Sequence, residues 1–319
     1  MATAATATRP LPGSSAPPPS RRGPRRRSTS FLGALPYLAP ALALYATFLL
    51  FPIFSAIYLS FVRWNGFPTT PQQWAGLDNY VDILTNDTVF YTALRNSLIW
   101  AVLSLIVPTA MALVLALALN RRLLGRNLMR SVFYIPAVLA SIAVATMWSW
   151  IYHPNSGLAN SLLTSWGLES WILDWLGDPD VALYSVFVAF VWQTTGFSMV
   201  LFLAGLQSVP PDLIEAARLD GARPRQVFRH VTLPALRPTL TVVLVLTVIS
   251  SLKVFDLIVG MTSGGPGQAS QVLALWSYSQ SFINHNFGGG NALAVILLAI
   301  TLTLVLPYLL WTLKGDDDQ

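Results

Sequence analysis

The chain of 319 residues contains no cysteine. Disulfides, thiolate metal sites and a cysteine nucleophile are therefore excluded. Histidine is nearly as scarce. His153, His230 and His285 stand far apart, without the close spacing a zinc site uses, so no metal centre is expected. Lysine occurs twice, as Lys253 after Leu252 and Lys314 after Leu313. A phosphate-binding P-loop needs a Gly-Lys pair, so no such loop exists and no cofactor is expected on this chain. Charged residues make up only 10%, where a soluble domain carries about a quarter. An ordinary soluble enzyme is excluded.

What is present is apolar: 54% of residues are hydrophobic, gathered in blocks. Several blocks exceed the roughly 18 residues that mark a membrane span. Six spans are predicted, at about 35–62, 94–119, 131–152, 181–207, 239–262 and 291–313, in an all-α integral membrane protein. Pro36, Pro40, Pro52 and Pro108 fall in or near the first two and predict kinks, which neighbouring helices tolerate in lipid. Residues 1–30 are Ala, Thr, Pro, Ser and Arg without apolar periodicity, and read as a disordered basic tail. The apolar run that follows, Phe31 to Val62, is about twice the 7–15 residues of a signal peptide and reads as a retained span. Beside such an anchor the Arg run points to topology rather than to nucleic acid.

Charge sets the orientation. One set of segments carries Arg9, Arg21, Arg22, Arg25, Arg26 and Arg27, then Arg121, Arg122, Arg126 and Arg130. It continues with Arg218, Arg223, Arg225, Arg229, Arg237 and Lys314. That is sixteen of the 19 basic residues. The alternate loops hold only Arg63 and Arg95, beside Asp78, Asp82, Asp87, Glu169, Asp174, Asp178 and Asp180. By the positive-inside rule both termini, including 314–319, are expected in the cytoplasm.

The longest loop on the basic side is 208–238. Pro210 and Pro211 stop the fourth span and open a new helix, since Pro suits a first turn. Asp212 and Glu215 favour its N-terminal end. Leu213, Ala216, Ala217 and Asp220 give a short helix with a small face, and Gly221 suits the left-handed residue that ends it. A second short helix with Val227, Phe228 and Val231 returns toward the membrane, and Pro234 and Pro238 are expected to end it. Physics alone leaves two readings: an amphipathic helix on anionic lipid, or a knob that another protein grips.

The pattern Glu215-Ala216-Ala217, Asp220-Gly221-Ala222, Phe228, Leu233-Pro234 and Pro238 resembles the EAA loop of ATP-binding-cassette importer permeases. Further segments resemble the carbohydrate branch, of maltose and glycerol-3-phosphate type. They are Ser60-Phe61, Trp64-Asn65-Gly66, Gly76-Leu77-Asp78-Asn79-Tyr80, Asn96-Ser97 and Ala204-Gly205-Leu206-Gln207. Phe255-Asp256, the run from Thr262 to Gly267, and Ala292-Leu293-Ala294 complete the set. The resemblance covers about residues 31–313. The Arg-rich start and Asp316-Asp317-Asp318 depart from it, as does the lack of the large outer domain of the maltose permease. It implies a type I importer permease fold, in which 31–313 is the permease domain and 208–238 the coupling loop. Glu215, Ala216, Ala217, Asp220 and Gly221 would match the helix that docks on a separate ATPase. Two copies of that ATPase, carrying ATP and Mg, would act with a second permease subunit and an extracytoplasmic solute-binding protein in a bacterial inner membrane. Disaccharide, oligosaccharide and glycerol-3-phosphate importers share these motifs.

Two ionisable residues, Lys253 and Asp256, fall inside the predicted fifth span. Spacing of i, i+3 would put them on one helix face and allow an ion pair. They read either as a self-neutralising pair or as a polar wall for a hydroxylated or anionic solute. Ser250 and Ser251 adjoin them. Gln193, Thr194, Thr195 and Ser198 in the fourth span read either as interhelical bonding groups or as further lining. Most Trp and Tyr fall at span ends and read as interfacial belts, with Trp192 the deeper lining candidate. The Gly264-Gly265-Pro266-Gly267 run reads as a turn. An ion-coupled carrier is the alternative, supported only by Asp256. A membrane enzyme would need a cluster of catalytic groups, and none is seen.

Overall fold

The computed structural model describes residues 31–121 and 123–317. The expected tail 1–30, Arg122 and the last two residues lie outside these, as do the side chains of Tyr308, Trp311 and Lys314. The described residues fall into two compact units, one ending at Pro52 and the other beginning at Ile53. In the first, α1 (Phe31–Tyr45) runs into a π turn at Ala46–Leu50, and α2 (Phe51–Ser60) starts there and belongs mostly to the second. Pro52 has no N–H for the ladder, and the N–H of Phe51 bonds to the Ala46 carbonyl instead of that of Thr47, one residue closer. The expected Pro kink is here a wider turn.

The second unit begins with a clamp. β1 (Val62–Arg63) pairs antiparallel with β2 (Gln73–Trp74), and α3 (Asp78–Thr85) follows. The buried Asn79 Nδ2 donates to the Ser60 carbonyl at 2.8 Å and the Val62 carbonyl at 3.0 Å. Ser60 Oγ and Tyr80 hydroxyl meet at 2.7 Å. Arg63 bridges Asp78 at 3.2 Å and Asp82 at 3.7 Å. All three are exposed, so these bridges contribute about 1 kcal/mol or less.

Two long helices form the centre. Asp87 caps α4 (Thr88–Leu119) by accepting from the N–H groups of Val89 and Phe90. After α5 (Arg126–Val138), α6 (Ser141–Ile151) and α7 (Leu158–Ser165) comes α8 (Ala182–Gln207). α4 and α8 lie alongside each other, with Trp100 against Phe187 and Phe190 near their starts. Near their ends Ala112 and Ala116 pack with Met199 and Phe202. Small residues let the backbones close, as packing in lipid requires. A Cβ on Gly196 would collide with the Phe133 carbonyl of α5, and one on Gly205 with Thr239.

The remaining elements are α9 (Pro211–Leu219), α10 (Pro224–Val227), α11 (Leu233–Ala235), α12 (Arg237–Leu252), α13 (Asp256–Met261), α14 (Leu273–Tyr278) and α15 (Phe287–Asp317). Four stretches are long and apolar enough to cross a membrane: Tyr37–Ser60, Thr88–Leu119, Ala182–Gln207 and Phe287–Pro307. Two bent pairs raise the number to as many as six.

Both expected spans that departed from this picture are broken helices. The third, 131–152, divides at Leu139–Ala140, which are extended, and α5 and α6 diverge by 101°. Pro136 has already removed one donor from the last turn of α5. The fifth, 239–262, stops at Leu252 and resumes at Asp256. At its other end Pro238 opens α12 rather than closing the preceding helix, and Pro234 lies within α11, after which the chain bends by 67° at Leu236.

The 262–272 loop is pinned by α4. Asn96 Nδ2 donates to the carbonyls of Ala269 at 2.8 Å and Gln271 at 2.9 Å, and Ser97 Oγ accepts from the N–H of Leu273. Asn96→Leu leaves both carbonyls without that donor, a loss of about 1–3 kcal/mol. Hydrogen exchange should then accelerate in 262–272 while α8 keeps its protection. Equal protection in that loop would show that it holds itself.

Candidate functional site

Two regions follow from this frame, one at the basic end of the bundle and one midway along it. At the basic end α8 stops at Gln207, and Pro211 occupies the first position of α9. Asp212 lies in the first turn and Arg218 in the last, so each charge complements the helix dipole. The end of α9 is a two-bond cap: Ala222 N–H reaches the Ala217 carbonyl at 3.0 Å and Gly221 N–H the Arg218 carbonyl at 3.0 Å. Gly221 has φ +81, the left-handed region where Gly is unstrained. A Cβ there would meet nothing within 4 Å, so backbone conformation alone selects Gly.

Glu215, Ala216, Asp220 and Gly221 are exposed and Ala217 half-buried. Asp220 caps α9 rather than lying within it. Leu219 is 89% exposed and Leu213 53% exposed on the same helix. Sequence reasoning missed Leu219. An uncovered Leu on a helix carrying charged residues was its signal, since a lone helix on lipid or a partner needs such a residue.

Midway along the bundle lies a cavity of about 330 Å³. Three irregular helices meet on it. α4 contributes Pro108, the α5–α6 break contributes Ala137 and Ser141, and the α12–α13 break contributes Lys253, Val254, Phe255 and Asp256. α8 supplies Gln193, Thr194 and Ser198. Gln193 Nε2 also donates to the Leu139 carbonyl at 3.0 Å, filling the gap the break leaves in the α5 ladder. Thr194 Oγ1 bonds back to the Phe190 carbonyl. Phe190, Phe197 and Phe255 give the space aromatic walls.

The expected Lys253–Asp256 ion pair does not form. Among the described residues the ion pairs are those of Arg63. Because the helix breaks between them, i, i+3 stacking is lost. Lys253 instead caps the C-terminal end of α12 and Asp256 opens α13, so each charge sits at the helix end that favours it. Two further expected lining residues lie elsewhere. Ser251 is 1% exposed and bonds to the Val248 carbonyl. Trp192 stands edge-on to Trp148, ring centroids 6.0 Å apart, off the cavity wall. Ser141, Phe197, Thr247 and Phe255 line it unforeseen, Ser141 and Phe255 brought there by the breaks.

A broken-helix cavity within a bundle of apolar helices defines a membrane transport component, and comparison with known proteins agrees. Residues 109–312 match the family described as binding-protein-dependent transport system inner membrane component. The chain belongs to that family and is a multi-pass inner-membrane permease. It is 37% identical to a probable ABC transporter permease of Pyrococcus horikoshii, over 92% of this chain and 99% of that one. It is 35% identical to the trehalose/maltose transport system permease of Thermococcus litoralis, over 85% and 90%. It is 32% identical to the diacetylchitobiose uptake system permease of Streptomyces coelicolor, over 95% and 90%. A solved bacterial ABC transporter that imports alginate shares the fold, with TM-score 0.75, 24% identity, and 88% and 94% of the two chains covered. A second structure of a bacterial alginate ABC transporter, complexed with a pentasaccharide-bound periplasmic protein, matches at TM-score 0.76 and 24% identity, over 86% and 92%. Membership of this family displaces the ion-coupled carrier.

Gln193→Leu should lower the thermal midpoint of the detergent-solubilised protein, corresponding to about 1–3 kcal/mol, because the Leu139 carbonyl loses its donor. Thr194→Val should leave the midpoint in place, since that hydroxyl bonds only within its own helix turn. Equal midpoints for both variants would rule out the bridging role.

Proposed function

We propose that this chain is a non-catalytic permease subunit of an ATP-driven importer of sugars or sugar-like solutes. Its spans number six, α5 with α6 counting as the third and α12 with α13 as the fifth, with both termini in the cytoplasm. The basic end faces the cytoplasm, in keeping with Arg121, Arg126, Arg130 and the five Arg of the 208–238 segment on that side. One chain forms half of the translocation path, and a second permease subunit forms the other. Two copies of an ATPase, holding ATP and Mg, seat on the α9 knobs, and an extracytoplasmic solute-binding protein delivers the solute at the opposite face.

The observation that carries this reading is the convergence of Pro108 and both helix breaks on one polar cavity. Discontinuous helices expose backbone groups where a solute passes, and such backbone is tolerated in a membrane only where it lines a cavity. Hydroxyls from Ser141, Thr194, Ser198, Thr247 and Ser250, with Phe rings beside them, suit a hydroxylated ring: hydrogen bonds at its edge and apolar contact on its face. Lys253 and Asp256 add one donor and one acceptor without net charge. The maltose, chitobiose and alginate names of its relatives belong to the same solute class.

The knob explains how a subunit without a P-loop moves. Its helix presents Glu215, Ala216 and Leu219 outward, while the Gly221 cap fixes the turn that carries it back to the bundle. ATPase closure would displace α9, and α8 and α12, which flank it in sequence, reach the cavity wall. Two tests follow. In cells or vesicles, uptake should stop when ATP is depleted and persist when the proton gradient is collapsed with ATP held constant; the reverse would sink the importer reading. Gly221→Val forces a β-branched residue into the left-handed region, a strain of about 1–2 kcal/mol per residue. Membrane levels should stay normal while uptake falls at least tenfold, and Gly221→Asn should retain much of it. Full uptake by Gly221→Val would remove the docking role.

A further inference from the structure

The basic end also holds space that transport as described leaves unused. A hollow of about 410 Å³ lies beneath the knob, between the ends of α4 and α8 and the α9–α11 stretch. Its floor is apolar, from Leu117, Leu206, Ile214 and Phe228, and its rim carries Arg121 and Arg225. An adjoining hollow of about 200 Å³ shares Leu117, Ile214 and Phe228 and adds Arg218. No carboxylate lines either space. Among the described residues only Arg63 forms ion pairs, so these three guanidinium groups stand without one.

An occupant must answer two demands at once. It needs anionic oxygens arranged for guanidinium forks, which phosphate supplies, and an apolar body to cover the Leu, Ile and Phe floor. Inorganic phosphate meets the first demand and leaves the floor wet. An acidic protein segment meets the first with carboxylates but brings polar backbone onto the floor. A phospholipid with a net negative headgroup meets both, and basic pockets between helices on the cytoplasmic side suit such headgroups.

We propose that the hollow binds one anionic phospholipid of the leaflet at the basic end. Its phosphate bridges Arg121, just past the end of α4, and Arg225 on α10, and its glycerol and upper chain lie on Leu117 and Phe228. Because the two arginines belong to different elements, the lipid ties the docking helix to the bundle, and membrane composition tunes how firmly the knob is held.

The test uses the whole transporter with its partner subunits, in nanodiscs of phosphatidylcholine with or without phosphatidylglycerol. Native mass spectrometry then counts phosphatidylglycerol retained after release. Wild type should keep it, and the R121Q/R225Q double variant should lose it several-fold. R229Q, an exposed arginine outside both hollows, should match wild type. Both altered side chains are exposed and unpaired, so membrane level, and thermal midpoint in phosphatidylcholine alone, should not move, which separates lost binding from lost fold. Equal retention by the double variant, or none by wild type, overturns the proposal. So does displacement of the lipid by inorganic phosphate, which would make this a free-anion site. A photoreactive label on Leu117→Cys that captures a partner subunit rather than lipid would also overturn it. Solute uptake in phosphatidylcholine alone reports on the transport reading separately.

Discussion

A carbonyl without a donor in a hydrocarbon setting costs several kcal/mol, and this chain twice interrupts its helices where that penalty applies. The structure is organised around meeting it. At Leu139 the missing bond comes from Gln193 on the central helix α8. At Lys253–Phe255 the loose ends face the cavity, and a charge of the appropriate sign stands at each of them. α8 therefore serves two purposes. It is the element against which α4, α5 and α12 pack, and it holds the groups that make a broken neighbour tolerable. Gln193 thus has a place both in the cavity wall and in the support of the break beside it.

The same economy applies to short polar motifs elsewhere in the chain. Asn79, Asn96 and Ser97 look like binding groups in a sequence, polar and set in a short motif. Each is instead a clamp for backbone: Asn79 on the end of α2 and β1, Asn96 and Ser97 on the 262–272 loop. Trp276 Nε1 likewise donates to the Asp87 carboxylate whose other oxygen caps α4. The acidic end is thus stiffened by side-chain bonds between segments distant in sequence, a frame suited to meeting a rigid partner.

How much was legible in the sequence depended on the range of the signal. Long apolar runs marked the intact helices at Thr88–Leu119 and Ala182–Gln207, because burial in lipid acts on every residue of a run. Pro211 and Gly221 announced the limits of α9, because each carries its conformation locally. The breaks were not legible. Leu139 and Ala140 are ordinary helix formers, and the donor that satisfies the opened Leu139 carbonyl is a glutamine more than fifty positions away. Lys253 and Asp256 kept helical spacing in sequence while the backbone between them left the helix, so their pairing was read into a face that does not exist. Ser251, still within α12, bonds back to the Val248 carbonyl, and Trp192, on the unbroken α8, stands against Trp148; position along the chain did not say which way either side chain faces.

The run Tyr37–Ser60 has none of its most apolar window buried within the chain, against 67% for the equivalent window of Ala182–Gln207. Left to itself such a segment offers the bilayer a greasy rod with aromatic knobs: Phe48, Phe51 and Phe54 are all more than 60% exposed. Such a rod is at home in hydrocarbon, where apolar side chains need no cover from the chain itself.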